Sequence, residues 1–143
     1  EIPFEDNMLI LDEVAGNHVI GSAGNIGTRW PIHATSTGKA WLAFDEASID
    51  RLSEQLKPVT GSTMTDLDAL QPQLVEIRRR GYAVTVDEVE EGYTAVATII
   101  RGVLGDVQGA LSIGGPTQRL TAARRIELGT TLCRAAQRLN PEF

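Results

Sequence analysis

Three short runs in the second half of the chain are rich in apolar and β-branched residues. They read "YAVTVD", "YTAVATIIR" and "VQGALSIGG", and only residues 88–92 and 102–106 separate them. Such runs predict β-strands, and such short connections join antiparallel neighbours, because a parallel pair needs a crossover of roughly a dozen residues. Alternate residues share one face of a sheet, so Ala95 is expected on one face of the second strand, and Ser112 and Gly114 together on one face of the third.

A helical pattern begins after Pro31. Thr35 or Ser36 can cap a helix that runs through "GKAWLAF", since both are residue types that accept hydrogen bonds from a first turn. The segment "DEASIDRLSEQL" continues as a second short helix, which Pro58 ends.

The segment "TDLDALQPQLVEIRRRG" contains the clearest helix. Its leucines recur at helical spacing, Thr65 and Asp68 resemble a capping box, and Gly81 supplies the C-terminal stop. Pro72 removes a backbone hydrogen bond or moves the start of this helix closer to Leu70.

The chain closes with a helix from about Thr121, with one apolar stripe of Leu128, Leu132, Ala135 and Leu139. This stripe faces the core or a partner subunit. Near the other end, "NMLILDEVAG" and "NHVIGSA" predict two strands. The order of strands, helices, three strands and a helix predicts one α+β module, an antiparallel sheet with helices packed on it.

Composition narrows the possible functions. The 143 residues suit one domain, and a formal net charge of −6 argues against nucleic-acid binding by this segment alone, because phosphate neutralisation needs clustered Lys and Arg. No apolar run approaches the roughly 20 residues that span a bilayer. One cysteine forms no internal disulfide, which is compatible with a cytoplasmic location. The opening "EIPFEDNMLIL" is typical of a strand entered midway, so N-terminal material is expected to be missing.

The stretch "HATSTGKAW" ends like a phosphate-binding loop. A complete loop has a Gly five residues before its Gly-Lys pair and a Ser or Thr after it, whereas this chain has His33 and Ala40 there. The upstream "GSAGNIGTRW" has glycines at the wrong spacing for a dinucleotide site, and Trp30 and Pro31 interrupt the helix that should follow. Neither motif predicts a nucleotide.

Catalytic and metal chemistry is not indicated. Two histidines and one cysteine are too few for a recognisable metal site, and His33 is expected to be a hydrogen-bonded structural residue. The run "VDEVEEG" could pair carboxylates for acid–base work, but an exposed acidic turn is the favoured interpretation.

Four blocks together resemble the C-terminal effector-binding domain of the IclR family of bacterial transcription regulators: "PIHATSTGKAWLAF", "RRRGYAVTVDEVEEG", "ALSIGGPTQRLT" and the closing helix. The resemblance covers residues 1–143 and implies a GAF- and profilin-like fold, whose curved antiparallel sheet cups a small metabolite. It implies no enzymatic activity and no cofactor. Family members form homodimers or homotetramers and bind DNA through a preceding winged helix-turn-helix domain. The resemblance leads us to expect that this domain, and the first helix of the effector domain, lie outside the present chain.

The resemblance implies an anion site at the start of the first helix. There the backbone N–H groups of Ser36, Thr37 and Gly38 would meet the carboxylate of the effector. A helix start offers unpaired donors and a positive dipole end, which suits any small anion. The alternative is that Ser36 and Thr37 only cap their own helix.

The resemblance places the other ligand-binding positions at Val19, Trp30, Thr85, Asp87, Tyr93, Ala95, Ser112 and Gly114. Members that bind oxoacids have an aspartate at Thr85, a cysteine at Ala95 and a second serine at Gly114.

Trp30 and Tyr93 add aromatic surface to this pocket, and Asp87 is expected to face the same side as Thr85. Because pockets are mostly apolar with a few orienting polar groups, a larger or aromatic acid is the expected effector. Trp30 either lines the pocket or fills it. Two rival functions stay open: a GAF-like sensor of another signalling protein, and a small-acid enzyme that uses Asp87 or a neighbouring carboxylate.

Overall fold

The computed structural model describes residues 1–17, 26–52 and 56–139. Over these residues the chain forms six strands and four helices. The strands are β1 (Ile2–Phe4), β2 (Asn7–Leu9), β3 (Arg29–Pro31), β4 (Ala83–Val86), β5 (Tyr93–Arg101) and β6 (Val107–Pro116). The helices are α1 (Ser36–Phe44), α2 (Glu46–Ile49), α3 (Leu67–Arg80) and α4 (Ala122–Leu139).

Two antiparallel sheets, β1-β2-β3 and β4-β5-β6, meet at the first residue of the chain. The backbone nitrogen of Glu1 donates to the carbonyl of Ala110, and the N–H of Ala110 donates to the carbonyl of Glu1, both at 2.9 Å. These two bonds place β1 beside β6. The α+β class with antiparallel sheets and helices is therefore confirmed.

The β4-β5-β6 sheet is covered on both faces. Ala97 and Ile99 pack with α1 and α3 in the larger core, whereas Val96 packs with Leu128 and Leu132 beneath α4. Neighbouring residues of β5 thus face opposite sides of the sheet, as expected of a strand. The apolar stripe of α4 faces the core at Leu128 and Leu132, whereas Leu139 is 55% exposed and lies outside that core.

The N-terminal region departs from its expected strands. β1 and β2 form a hairpin, whose turn includes Glu5 in the left-handed conformation at φ 55°, and β2 stops at Leu9. The turn was missed because its positive-φ residue is Glu5, where glycine or asparagine is usual, and Asp6 alone is a weak turn signal. Most of the second predicted strand, "NHVIGSA", lies outside the described residues.

Helix α3 begins at a different cap from the one expected. Asp66, rather than Thr65, accepts a hydrogen bond from the N–H of Asp68 at 2.9 Å. The helix starts at Leu67, and Pro72 is accommodated inside it. Gly81 ends it as predicted, with φ 89° and its N–H donated to the carbonyl of Ile77 at 2.8 Å.

Candidate functional site

A cavity of about 730 Å³ lies where the two sheets meet the start of α1. Its walls come from the first residue, the segment after β2, the end of β3, the start of α1 and strands β4 to β6. The described lining residues are Glu1, Ile10, Asp12, Glu13, Val14, Ala15, Gly16, Trp30, Thr35, Ser36, Thr37, Thr85, Val89, Tyr93, Ala95, Ala110, Leu111, Ser112, Ile113 and Gly114.

The start of α1 presents unused donors to this cavity. Thr35 is the cap, and its hydroxyl accepts a hydrogen bond from the N–H of Gly38 at 3.0 Å. The N–H of Lys39 donates to the carbonyl of Thr35 at 2.9 Å. The N–H groups of Ser36 and Thr37 find no acceptor among the described residues, and both residues are at least 98% buried. Because Thr35 caps the helix, the alternative that Ser36 and Thr37 only cap it is wrong.

Buried hydroxyl groups surround these donors. Thr37 Oγ1 donates to Glu1 Oε2 at 2.7 Å, and Ser112 Oγ lies 3.4 Å from Glu1 Oε1. The hydroxyls of Ser36 and Thr85 have no hydrogen-bond partner in the described part of the chain, although these residues are only 2% and 4% exposed. Both residues line the cavity, where water or a polar ligand can bond to these hydroxyls.

Trp30 and Tyr93 line the cavity without closing it. The position of the Tyr93 side chain depends on the glycine at residue 114, because a Cβ built on Gly114 would lie 1.9 Å from the Tyr93 hydroxyl oxygen. The ring therefore takes the space that a side chain at residue 114 would need. Burial, followed by the charges of Glu1, Glu13 and Glu90, raises the pKa of Tyr93 above its ordinary value, so its hydroxyl stays protonated and able to donate near neutral pH.

Gly114→Ser is expected to lower the free energy of unfolding by about 1–3 kcal/mol, because it overpacks the Tyr93 ring. The same substitution should cost much less in a Tyr93→Val background, where the ring is absent. Urea denaturation of both pairs measures the difference. Gly115→Ser is the matched control, since a Cβ there meets only Leu120 Cδ1 at an ordinary 3.8 Å. Equal costs of Gly114→Ser in both backgrounds would refute the coupling.

Two of the predicted ligand-binding positions differ from the expectation. Gly38 does not line the cavity, and its N–H is already bonded to Thr35. Asp87 does not share the face of Thr85: it adopts φ 60°, and its Oδ1 accepts from the Gly92 N–H and the Thr117 hydroxyl, both at 2.9 Å. The backbone therefore turns at Asp87, and strand alternation does not extend to it.

Another predicted position, Val19, lies outside the described residues. Eight predicted positions do meet at the cavity: Trp30, Ser36, Thr37, Thr85, Tyr93, Ala95, Ser112 and Gly114. Sequence reasoning missed Glu1 and Thr35 there. A cap at Thr35 was one of two readings of the sequence, whereas nothing local to Glu1 signals that strand β1 would bring its carboxylate against α1.

A buried ion pair joins α1 to the turn that precedes Val89 of the cavity wall. Lys39 is 1% exposed, and its Nζ lies 2.5 Å from Glu88 Oε2 and 2.8 Å from Gln73 Oε1. Burial lowers the pKa of Lys39 and raises the pKa of Glu88, and the attraction between the two partly offsets each shift. The expectation of an exposed acidic turn holds for Glu90 and Glu91 but is wrong for Glu88.

His33 has a structural role, as expected. His33 is 6% exposed and its Nε2 lies 2.9 Å from the Lys57 carbonyl, which confirms a structural histidine. Among the described residues, no three His, Cys, Asp or Glu side chains are grouped as metal ligands would be. The same residues include no helix of the length and apolar character that a membrane crossing requires.

Fold and cavity together define a small-molecule-binding domain of the α+β class. The family model for the bacterial transcriptional regulator IclR C-terminal domain matches residues 3–140, so the chain belongs to this family. Its structural neighbours are IclR C-terminal effector-binding domains with the expected GAF- and profilin-like fold.

Curated and solved relatives agree with this assignment. The HTH-type transcriptional regulator BhcR of Paracoccus denitrificans is 33% identical over 138 residues, which cover 94% of this chain and 50% of BhcR. The Thermotoga maritima IclR structure superposes with a TM-score of 0.87 at 27% identity, over 96% of this chain and 57% of that one.

A third relative was crystallised with a ligand. This is the inducer-binding domain of the PobR transcription factor from Acinetobacter, a double mutant in complex with 3-hydroxybenzoic acid. It superposes with a TM-score of 0.74 at 28% identity, over 85% of this chain and 72% of that one. The chain spans about half the length of the curated relatives it matches. These homologues are transcription regulators, which does not support the small-acid enzyme.

Proposed function

We propose that this domain senses a small metabolite that carries a carboxylate and an apolar or aromatic body. The observation that carries the proposal is the pair of N–H groups at Ser36 and Thr37, two cavity-lining residues, which find no acceptor in the described part of the chain. A helix start favours an anion through these donors and through the helix dipole. Trp30 and Tyr93 give the cavity aromatic walls for the rest of the ligand.

One relative supports an aromatic carboxylate. The PobR domain binds 3-hydroxybenzoic acid, which combines a carboxylate with a ring. The present cavity of about 730 Å³ falls within the 300–1,000 Å³ usual for small-molecule pockets, which leaves room for a ligand larger than a three-carbon oxoacid.

The effector would act on a DNA-binding domain in a longer regulator. A ligand shifts an equilibrium between two arrangements only by its difference in affinity for them, and coupling of about 1–3 kcal/mol is typical. In this proposal, a winged helix-turn-helix domain outside the present chain binds the operator in a cytoplasmic homodimer or homotetramer. Acidic residues outnumber basic ones here, so DNA contact is assigned to that other domain.

A thermal-shift panel tests the carboxylate. It contains unsubstituted and substituted carboxylic acids, from small oxoacids to benzoate-type acids, each paired with its primary amide, and nucleotides as controls. A ligand that binds only the folded state adds about 2.7 kcal/mol of stability at a hundredfold excess over its Kd. We expect acids with an apolar body to raise the Tm and their amides to have little effect. Equal shifts from acid and amide would contradict the carboxylate site.

Ser36→Ala tests the same site from the protein side. The variant removes a buried hydroxyl without a protein partner and is expected to weaken binding of the acid by about 0.5–1.5 kcal/mol. Ser62→Ala is the matched control, because Ser62 is exposed and lies outside the cavity lining. Isothermal titration of both variants gives the comparison, and equal affinities would remove Ser36 from the site.

A further inference from the structure

The charged side chains of the described cavity lining are acidic. Glu1, Asp12 and Glu13 line it, and the described lining contains no Lys, Arg or His side chain. A simple carboxylate would therefore enter a site in which the backbone N–H groups attract it, whereas the carboxylates of Glu1 and Asp12 oppose it.

The N–H groups that would attract an anion and the Glu1 carboxylate that would repel it are close together. Glu1 Oε2 accepts from Thr37 Oγ1 at 2.7 Å, so the Glu1 carboxylate contacts the residue whose N–H faces the cavity. An anion at the helix start would lie within a few ångströms of the Glu1 carboxylate. Two like charges at such a distance repel unless a positive group lies between or beside them.

Hydroxyl groups alone do not provide that positive group. Thr37 already donates to Glu1, and the 3.4 Å separation of Ser112 from Glu1 is long for a hydrogen bond. The hydroxyls of Ser36 and Thr85, which are 2% and 4% exposed, face the cavity without a described partner. Thr85 is on β4, so it offers the cavity a polar group that is independent of the helix start.

We propose that the effector is a zwitterion, a carboxylate with an ammonium group on its α- or β-carbon. Its carboxylate accepts from the N–H groups of Ser36 and Thr37, and its ammonium donates to the Glu1 carboxylate. Asp12 adds a favourable potential for the cation, and the apolar part packs against Trp30 and Tyr93. This inference rests on the proposed carboxylate site and names the class of ligand that such a site accepts.

The experiment compares ligands that differ in one charged group. The probes are the twenty L-amino acids and their β-amino counterparts, each with its des-amino acid and its decarboxylated amine, titrated calorimetrically into the domain. For the phenylalanine set these are L-phenylalanine, 3-phenylpropanoate and 2-phenylethylamine. At least one amino acid is expected to bind about tenfold or more tightly than its des-amino acid and its amine, since each charged hydrogen bond is worth about that factor or more.

Glu1→Gln tests the assigned partner of the ammonium. It keeps the shape of the side chain and removes its charge, so the preference for the amino acid over the des-amino acid is expected to fall about tenfold, with the des-amino acid gaining affinity. Glu5→Gln is the control, because Glu5 is exposed and outside the cavity lining, and its removal changes the net charge by the same amount. Thermal unfolding of each variant checks that it is folded.

The outcomes separate the two proposals. Des-amino acids that bind as tightly as amino acids would overturn the zwitterion and leave the carboxylate site intact. Amines that bind as tightly as amino acids would overturn the carboxylate site as well. An amino-acid preference that Glu1→Gln leaves unchanged, or a panel in which no zwitterion binds, would also overturn the inference.

Discussion

Replacing Lys39 with methionine is expected to lower the free energy of unfolding by about 3–5 kcal/mol, the usual cost of breaking a buried ion pair. The Lys39 side chain is 1% exposed and that of Glu88 is 12% exposed, so the substitution leaves a carboxylate in a poorly solvated place. The Glu88 Oε2 atom has no hydrogen-bond donor among the described residues beyond this ammonium contact, which adds to the penalty.

Urea denaturation measures this loss, and Lys57→Met is the control because Lys57 is the other lysine of the chain and is exposed. The double variant Lys39→Met with Glu88→Leu should recover much of the stability, since a buried ion pair replaced by apolar groups is often neutral. A Lys39→Met domain within about 1 kcal/mol of the wild type would show that Glu88 escapes to solvent or is protonated at little cost.

This ion pair also bears on the site. Lys39 is on α1, Gln73 is on α3, and Glu88 is in the turn that precedes Val89 of the cavity wall. The pair therefore fixes the helix start relative to the opposite wall. A folded variant that lacks the pair should bind the effector more weakly, because the N–H groups and the aromatic wall would no longer be held at one spacing.

Local periodicity accounts for the parts of the fold that were predicted. Strand β5 is buried along most of its length because α4 covers one face and α1 the other, and helix α3 carries leucines at helical spacing up to the stop at Gly81. The cap of α3 was displaced by one residue because Thr65 and Asp66 are both good caps, and only the tertiary path of the chain selects between them.

Contacts between distant residues account for the parts that were not predicted. Lys39 and Glu88 are 49 residues apart, and Glu1 and Ser112 are 111 apart, so no window of the sequence contains either pair. Tyr93 and Gly114 were each noted as departures from oxoacid-binding relatives. Gly114 makes room for the Tyr93 ring, which only the register of β5 against β6 reveals. That register puts Gly114 opposite Ala95, two residues from Tyr93.

The Gly38→Ala variant is expected to lose at least about 3 kcal/mol of stability, at the upper end of the usual cost of overpacking. A Cβ on Gly38 would lie 1.9 Å from the carbonyl oxygen of Ile32 and 2.7 Å from its Cα. These are backbone atoms, which cannot rotate away as a side chain can, so the start of α1 must move away from residue 32. The glycine of the phosphate-loop-like stretch is thus required for close packing.

The same movement should abolish effector binding in any fraction that stays folded, since the N–H groups of Ser36 and Thr37 would shift by about 1 Å or more from the ligand, and such misplacements cost large factors in affinity or rate. Urea denaturation and calorimetric titration test both effects. Gly61→Ala is the control, because a Cβ there meets nothing within 4 Å and its φ is not positive. Gly38→Ala with wild-type stability would mean that α1 is not held against Ile32, and wild-type affinity would separate effector binding from the geometry of the helix start.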